Sequence, residues 1–229
     1  MYEGMNRYYD EPATVIIGGG TQFFLGLDLG QSKDYTAIAV VEKIDPPRHP
    51  PRYGSSHGDL IDPDAKKRYE CRHLERLPLG TKYPDIVSHV QTMMENPQLK
   101  GKTELVVDAT GVGRPVVDMF AGKGLSPRGI MITGGNAVTQ VGDYTGVPKR
   151  DLVSTLQALM QQDRLGFAKS LPMIDSLVAE MMAFQVKITT SANDIYGAWR
   201  EGTNDDLVLA VALATWRAEQ HYDIIWCVA

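Results

Sequence analysis

Phe24-Leu25-Gly26-Leu27-Asp28-Leu29-Gly30 is an apolar run that closes on one carboxylate and a glycine. Its length and apolar content suit a buried strand, and Leu29–Tyr35 then reads as a glycine-bearing turn. Phe23–Asp28 and Thr36–Glu42 are therefore predicted as two strands of a hairpin. The pattern recurs in Glu104-Leu105-Val106-Val107-Asp108-Ala109-Thr110-Gly111, where Leu105–Val107 is a short buried strand ending at Asp108. A third acidic segment, Asn204-Asp205-Asp206-Leu207, opens a strongly apolar closing helix, Asp205–Gln220. Each segment sets aspartate at the edge of an element. In open α/β sheets ligands bind beyond the carboxyl ends of strands. Hard divalent cations take oxygen ligands, and two such ions about 4 Å apart support phosphodiester cleavage. Taken singly, Asp28 and Asp108 also read as turn formers, and Asp205 and Asp206 as helix caps. Their combination points to metal chemistry.

Outward from these segments, Tyr69–Leu77 reads as a third strand without a clean apolar face, which suits a sheet edge. Pro84–Asn96, Lys149–Gln162 and Pro172–Ala183 carry helical spacing. Pro115–Phe120 opens a helix after a glycine turn, and Gly129–Thr133 is a further strand. Phe184–Thr190 and Asp194–Arg200 flank Ser191-Ala192-Asn193 as a predicted hairpin. Residues 1–22 read as a leader or linker, ending in Gly18-Gly19-Gly20. Residues 23–229 form one domain, with 45–68 a surface insertion whose stretch 45–64 is rich in proline, glycine, serine and histidine. The fold class is α/β: a central mixed β-sheet flanked by helices.

Composition narrows the function. The 229 residues include two cysteines, Cys71 and Cys227, far apart in sequence. That argues against a disulfide framework or a cysteine zinc site. No run approaches the roughly 20 apolar residues of a membrane span, and the N-terminus lacks a secretory signal; the cytoplasm, a host's if the protein is viral, is the simplest compartment. The net charge of −5 does not advertise nucleic-acid binding, so any contact to DNA must be local.

The sequence Gly26-Leu27-Asp28-Leu29-Gly30 with Asp34-Tyr35-Thr36-Ala37, then Val106-Val107-Asp108-Ala109-Thr110-Gly111-Val112-Gly113, then Gly202-Thr203-Asn204-Asp205-Asp206-Leu207-Val208 and the alanine-rich stretch to Ala214, resembles the nuclease domain of the large terminase subunit of tailed bacteriophages. The resemblance runs over roughly residues 23–220. It implies a ribonuclease H-like fold, of the resolvase-like superfamily. It also implies a two-metal-ion endonuclease, using Mg²⁺ or Mn²⁺, that cleaves double-stranded DNA with little sequence specificity during viral packaging. By the same resemblance Asp28 and Asp108 match the first two metal-binding acids. Asp205 and Asp206 both match the third region, with the direct ligand left open, and Asp34 matches an acid farther from the ions. Expected partners are DNA and a separate packaging ATPase, portal and small terminase subunit.

The chain departs from a complete large subunit in having no Gly-x-x-x-x-Gly-Lys-Ser/Thr loop. Ile16–Phe24 is glycine-rich but lacks the lysine, so no nucleotide cofactor is expected. Arg114, Arg128, Lys149 and Arg150 are the candidate DNA contacts, beside the plainer reading of each as solvated surface. Lys149-Arg150 leads because it opens a helix, whose N-terminus favours phosphate. Alternative functions are a Holliday-junction resolvase-like nuclease, an actin- or sugar-kinase-like phosphotransferase, and an inactive DNA-binding module. Crowded carboxylates repel one another. Divalent cations should therefore raise the melting temperature, and asparagine at Asp205 or Asp206 should leave the metal-free value unchanged or higher.

Overall fold

The structure, a computed structural model, describes residues 22–30, 34–45, 66–111, 113–190 and 204–221. In chain order the first elements are β1 Phe23–Asp28, β2 Ala37–Ile44, β3 Arg68–Arg76, α1 Tyr83–Met94, β4 Thr103–Asp108, α2 Gly113–Gly122 and β5 Arg128–Thr133. There follow β6 Thr139–Val141, β7 Tyr144–Pro148, α3 Lys149–Gln161, β8 Leu165–Phe167, α4 Ile174–Thr190 and α5 Asp206–Gln220. The strands form one sheet in the order β6-β7-β5-β4-β1-β2-β3-β8. β1, β2 and β3 are an antiparallel meander. β4 lies parallel to β1 on its other side, and β5 and β7 extend that parallel half. The sheet is mixed, as the sequence predicts, and its centre is the β1–β4 pair.

Side-chain alternation along the strands divides the interior in two. Leu25, Leu27, Ile38, Val40, Leu105 and Val107 face α1 and α2 and pack with Ile86, Val90, Val116 and Phe120. Phe24, Ala37, Ala39, Val41 and Val106 face the other way, onto α3 and α5. Helix α5 is the centre of that second layer. Every residue from Asp206 to Trp216 is buried, the mark of a helix enclosed on all sides, and α3 and α4 cover its outer surface.

Gly26 lets α5 lie directly on β1. A Cβ at Gly26 would overlap the carbonyl oxygen of Ala210 and come within 3.0 Å of the Ala214 nitrogen. The two elements run antiparallel, since the ring of Phe24 meets His221 at 5.5 Å, just past the end of the helix. From Gly26 to Asp28 the strand advances about 6.6 Å. From Ala210 back to Asp206 the helix advances about 6 Å. The first turn of α5 is thereby carried to the carboxyl end of β1.

Two expectations need correction. β3 is not at the edge, because β8 pairs with it in parallel along Tyr69–Cys71. Phe184–Thr190 is not a strand but the last turns of α4. Its β-branched residues favour a strand only weakly, and extending an existing helix adds one hydrogen bond for each residue fixed. β6, β7 and β8 were not anticipated. They are three to five residues long, too short for a period to show. The expected leader up to residue 21, the insertion over 46–65 and the strand Asp194–Arg200 lie outside the described residues. Among the described residues no helix is long and apolar enough to cross a membrane.

Candidate active site

Asp28 ends β1 on the face of Phe24 and Gly26, toward α5. Asp108 ends β4 on the face of Val106, toward the same helix. The parallel register pairs Leu27 with Val107, so the two aspartates are the next neighbours across the central strands. Asp205 and Asp206 arrive at the start of α5, Asp205 as the residue just before it and Asp206 as its first residue. The convergence is visible in the electrostatics. Burial lifts the Asp28 carboxyl well above its ordinary value, and the charges of Asp108, Asp205 and Asp206 push it further, while Lys149 pulls it back. Carboxylates that crowd one another resist ionising together.

The Asp108 carboxylate accepts the Thr110 backbone N–H at 2.8 Å. Gly111, at φ 64°, turns the chain in the left-handed region that glycine favours. Gly113 then starts α2 so close to the Asp108 carbonyl that a Cβ there would overlap it. This turn holds Asp108 at the sheet's edge.

The adjacent acids at the start of α5 have different partners. Asp205 receives the Lys149 ammonium at 2.7 Å, with the carboxylate side chain 25% exposed. Asp206, at 9% exposure, receives Arg76 through Nε at 2.6 Å and Nη2 at 3.0 Å. Arg76 ends β3, lies over the Tyr35 ring at 5.0 Å, and also binds Glu180 of α4. Glu180 in turn accepts the Val208 N–H at 3.1 Å, which satisfies a donor of the first turn of α5. Burial raises the Glu180 carboxyl to about 7; the Val208 bond opposes the rise and the Asp206 charge adds to it.

The other candidates are scattered around this centre. Asp34 is exposed in the β1–β2 connection. Arg114, in the first turn of α2, lies over the Tyr144 ring at 5.4 Å. Arg150 follows Lys149 on α3 and binds the Asn136 carbonyl at 2.7 Å and Asp151 at 3.3 Å. Arg128 points elsewhere. It pairs with Glu104 at 3.6 Å, and Glu104 binds Arg217 in the last turn of α5. That is the opposite end of a 15-residue helix, about 22 Å long, from Asp205.

Arg76 and Glu180 were missed from sequence. Each carried a signal: Arg76 falls two residues after buried Leu74 on the same strand face, and Glu180 three after buried Leu177 on one helical stripe. A charge on a core-facing stripe implies a buried partner. Among the described residues no group of three or more His, Cys, Asp or Glu side chains stands arranged to hold a metal ion; Asp205 and Asp206 are turned to cationic side chains instead. In chemistry the donor set still fits a hard divalent cation. It is all carboxylate oxygen, and the Asp28 carboxyl, raised first by burial and then by the charges of Asp108, Asp205 and Asp206, is one whose ionisation a cation would favour.

No protein-family model and no curated protein matches the chain. Among solved structures the fold is similar to the large terminase nuclease from thermophilic phage G20c, with 20% identity and a TM-score of 0.50 over 84% of this chain and 80% of that chain. The human cytomegalovirus terminase nuclease domain, soaked with manganese, aligns at 11% identity and a TM-score of 0.47 over 85% of this chain and 83% of that one. At the first of these levels the likeness bears on the fold: the chain has the ribonuclease H-like architecture, a mixed sheet flanked by helices.

Proposed function

We propose that the protein is a divalent-metal-dependent endonuclease that cleaves double-stranded DNA with little sequence preference, as in viral DNA packaging. The observation that carries this reading is the convergence of Asp28, Asp108 and the first turn of α5 at one end of the β1–β4 pair. In this reading Asp28, Asp108 and Asp205 hold Mg²⁺ or Mn²⁺, while Asp206 anchors α5 through Arg76. Bound ions would stabilise the charge that develops as water attacks the phosphodiester and the leaving oxygen departs.

The chain's own residues prepare that event. The Thr110 N–H fixes the Asp108 carboxylate. The Arg76–Asp206–Glu180 group fixes the start of α5, and with it Asp205. Arg114, Lys149 and Arg150 occupy the edge from which phosphates would approach, and contacts of that kind position a duplex without reading its sequence. This accords with a net charge of −5, because the positive charge needed is local. A separate packaging ATPase, portal and small terminase subunit belong to the same reading as partners.

Plasmid nicking tests the proposal. Supercoiled DNA should be nicked and linearised with Mg²⁺ or Mn²⁺, and left intact with EDTA. Asp28→Asn or Asp108→Asn should abolish cutting with unchanged circular dichroism. Undiminished cutting by either variant would exclude the mechanism.

A further inference from the structure

We infer that Lys149 is the resident counter-ion of the metal-free site, holding Asp205 until a divalent cation replaces it and then turning to the DNA backbone. The inference rests on the metal-dependent reading above, which places Lys149 among the phosphate contacts, and adds to it the role of a cation that competes with metal.

Two cations meet the acid pair of α5, and they are built differently. Arg76 grips Asp206 through two nitrogens, shares its guanidinium with Glu180, and is 14% exposed between partners of 9% and 6% exposure. A planar fork in a closed group is not easily released. Lys149 presents a compact ammonium on a flexible stem, to a carboxylate that is 25% exposed. Pairs open to water are weak. Lys149 is itself 16% exposed, so what distinguishes this pair is the more open carboxylate and the single nitrogen that meets it; its charge also reaches Asp28.

A divalent ion brings twice the charge in a smaller volume, so it should displace the ammonium from Asp205. The displaced side chain remains tethered at the first position of α3, directly after Pro148. The N-terminus of that helix favours anions, and Arg150 stands next to it. Once released, the ammonium has a backbone phosphate as its natural partner. Lys149 is thus a positioning residue that competes with metal and favours DNA.

These two roles predict opposite effects of one substitution. Mn²⁺ affinity without DNA, measured by calorimetry, should rise roughly 1.5- to 5-fold in Lys149→Gln, as removal of one partly exposed competing pair implies. The same variant should show a higher KM for duplex DNA, and a salt dependence of binding weaker by about one phosphate contact. Lys149→Arg, which keeps the charge and the fold, should bind Mn²⁺ no more tightly than the wild type. If Lys149→Gln binds Mn²⁺ equally or more weakly while the wild type binds well, the counter-ion role is wrong and the nuclease reading stands. If the wild type does not bind Mn²⁺ at all, the metal-dependent reading falls and takes this inference with it.

Discussion

Replacing Arg76 with methionine removes a cation shared by two buried carboxylates, Asp206 and Glu180. The lost contacts are the two nitrogens on Asp206, at 2.6 and 3.0 Å, and the bond to Glu180. All three side chains are less than 15% exposed, so water cannot take the place of the guanidinium. Leaving buried charges without their partner costs about 3–5 kcal/mol. For a chain of this length each kcal/mol shifts the melting temperature by about 2–4 °C, so the drop should be about 6–20 °C at pH 7.5. The loss should depend on pH, with a sign that follows from Glu180. Its carboxyl is raised in the folded state from 4.5 to about 7. A carboxyl raised on folding stabilises the native state below its unfolded value, and that contribution is lost as pH rises through the folded value. Without Arg76 the Glu180 carboxyl loses the guanidinium charge that lowers it and rises further. The deficit against wild type should then be small near pH 5 and grow toward pH 8. Thermal unfolding followed by circular dichroism in EDTA measures both. A fall of less than about 3 °C at pH 7.5, or an equal fall at pH 5, would refute the assignment of a buried three-member charge group.

Gly26→Ala should destabilise the protein by about 1–3 kcal/mol in urea unfolding, because its Cβ overlaps the Ala210 carbonyl and α5 must lift from β1. A neutral result would show that the helix–strand contact is looser than described. Asp28→Asn should raise the metal-free melting temperature above pH 7, since it removes a carboxyl held well above its ordinary value by burial and by Asp108; a lower melting temperature there would count against the crowding. Asp205→Asn should change metal-free stability little, because its Lys149 pair is partly exposed. Asp206→Asn should lower it, contrary to the common expectation for the pair from sequence, and equal melting temperatures for the two variants would remove the distinction.

The strands that carry the site were legible because each joins a short apolar run to one carboxylate. Phe23–Asp28 and Leu105–Asp108 are buried on both faces, so their signal is continuous hydrophobicity and survives without a period. The α5 helix was legible for a related reason: from Leu207 to Ala214 no residue is polar, and only enclosure on all sides suits such a stretch. The outer strands were not legible. β8 has three residues and exists because β3 offers it an unpaired edge, which is a property of the assembled sheet. The end of α4 misled for the opposite reason. Phe184–Thr190 has local strand character, and what overrides it is the helix already formed before it.

The difference between Asp205 and Asp206 shows why the candidate site was only half legible. Asp205 precedes α5 with non-helical backbone at φ −135° and Asp206 is the first residue of the helix, so the two side chains can leave in different directions, one to the carboxyl end of the sheet and the other to the interior. Sequence shows that a pair is present but not where the helix is rotated. That rotation is set by Gly26, which brings Ala210 and Ala214 down onto β1, and by the Val208 N–H, which is held by Glu180. With the rotation fixed, Asp206 falls against Arg76 and Asp205 against Lys149. The partners come from β3, α3 and α4, far from the pair in sequence, and none belongs to an acidic motif. The acids could be found from their local context. The cations that give the two acids different environments depend on packing between distant elements.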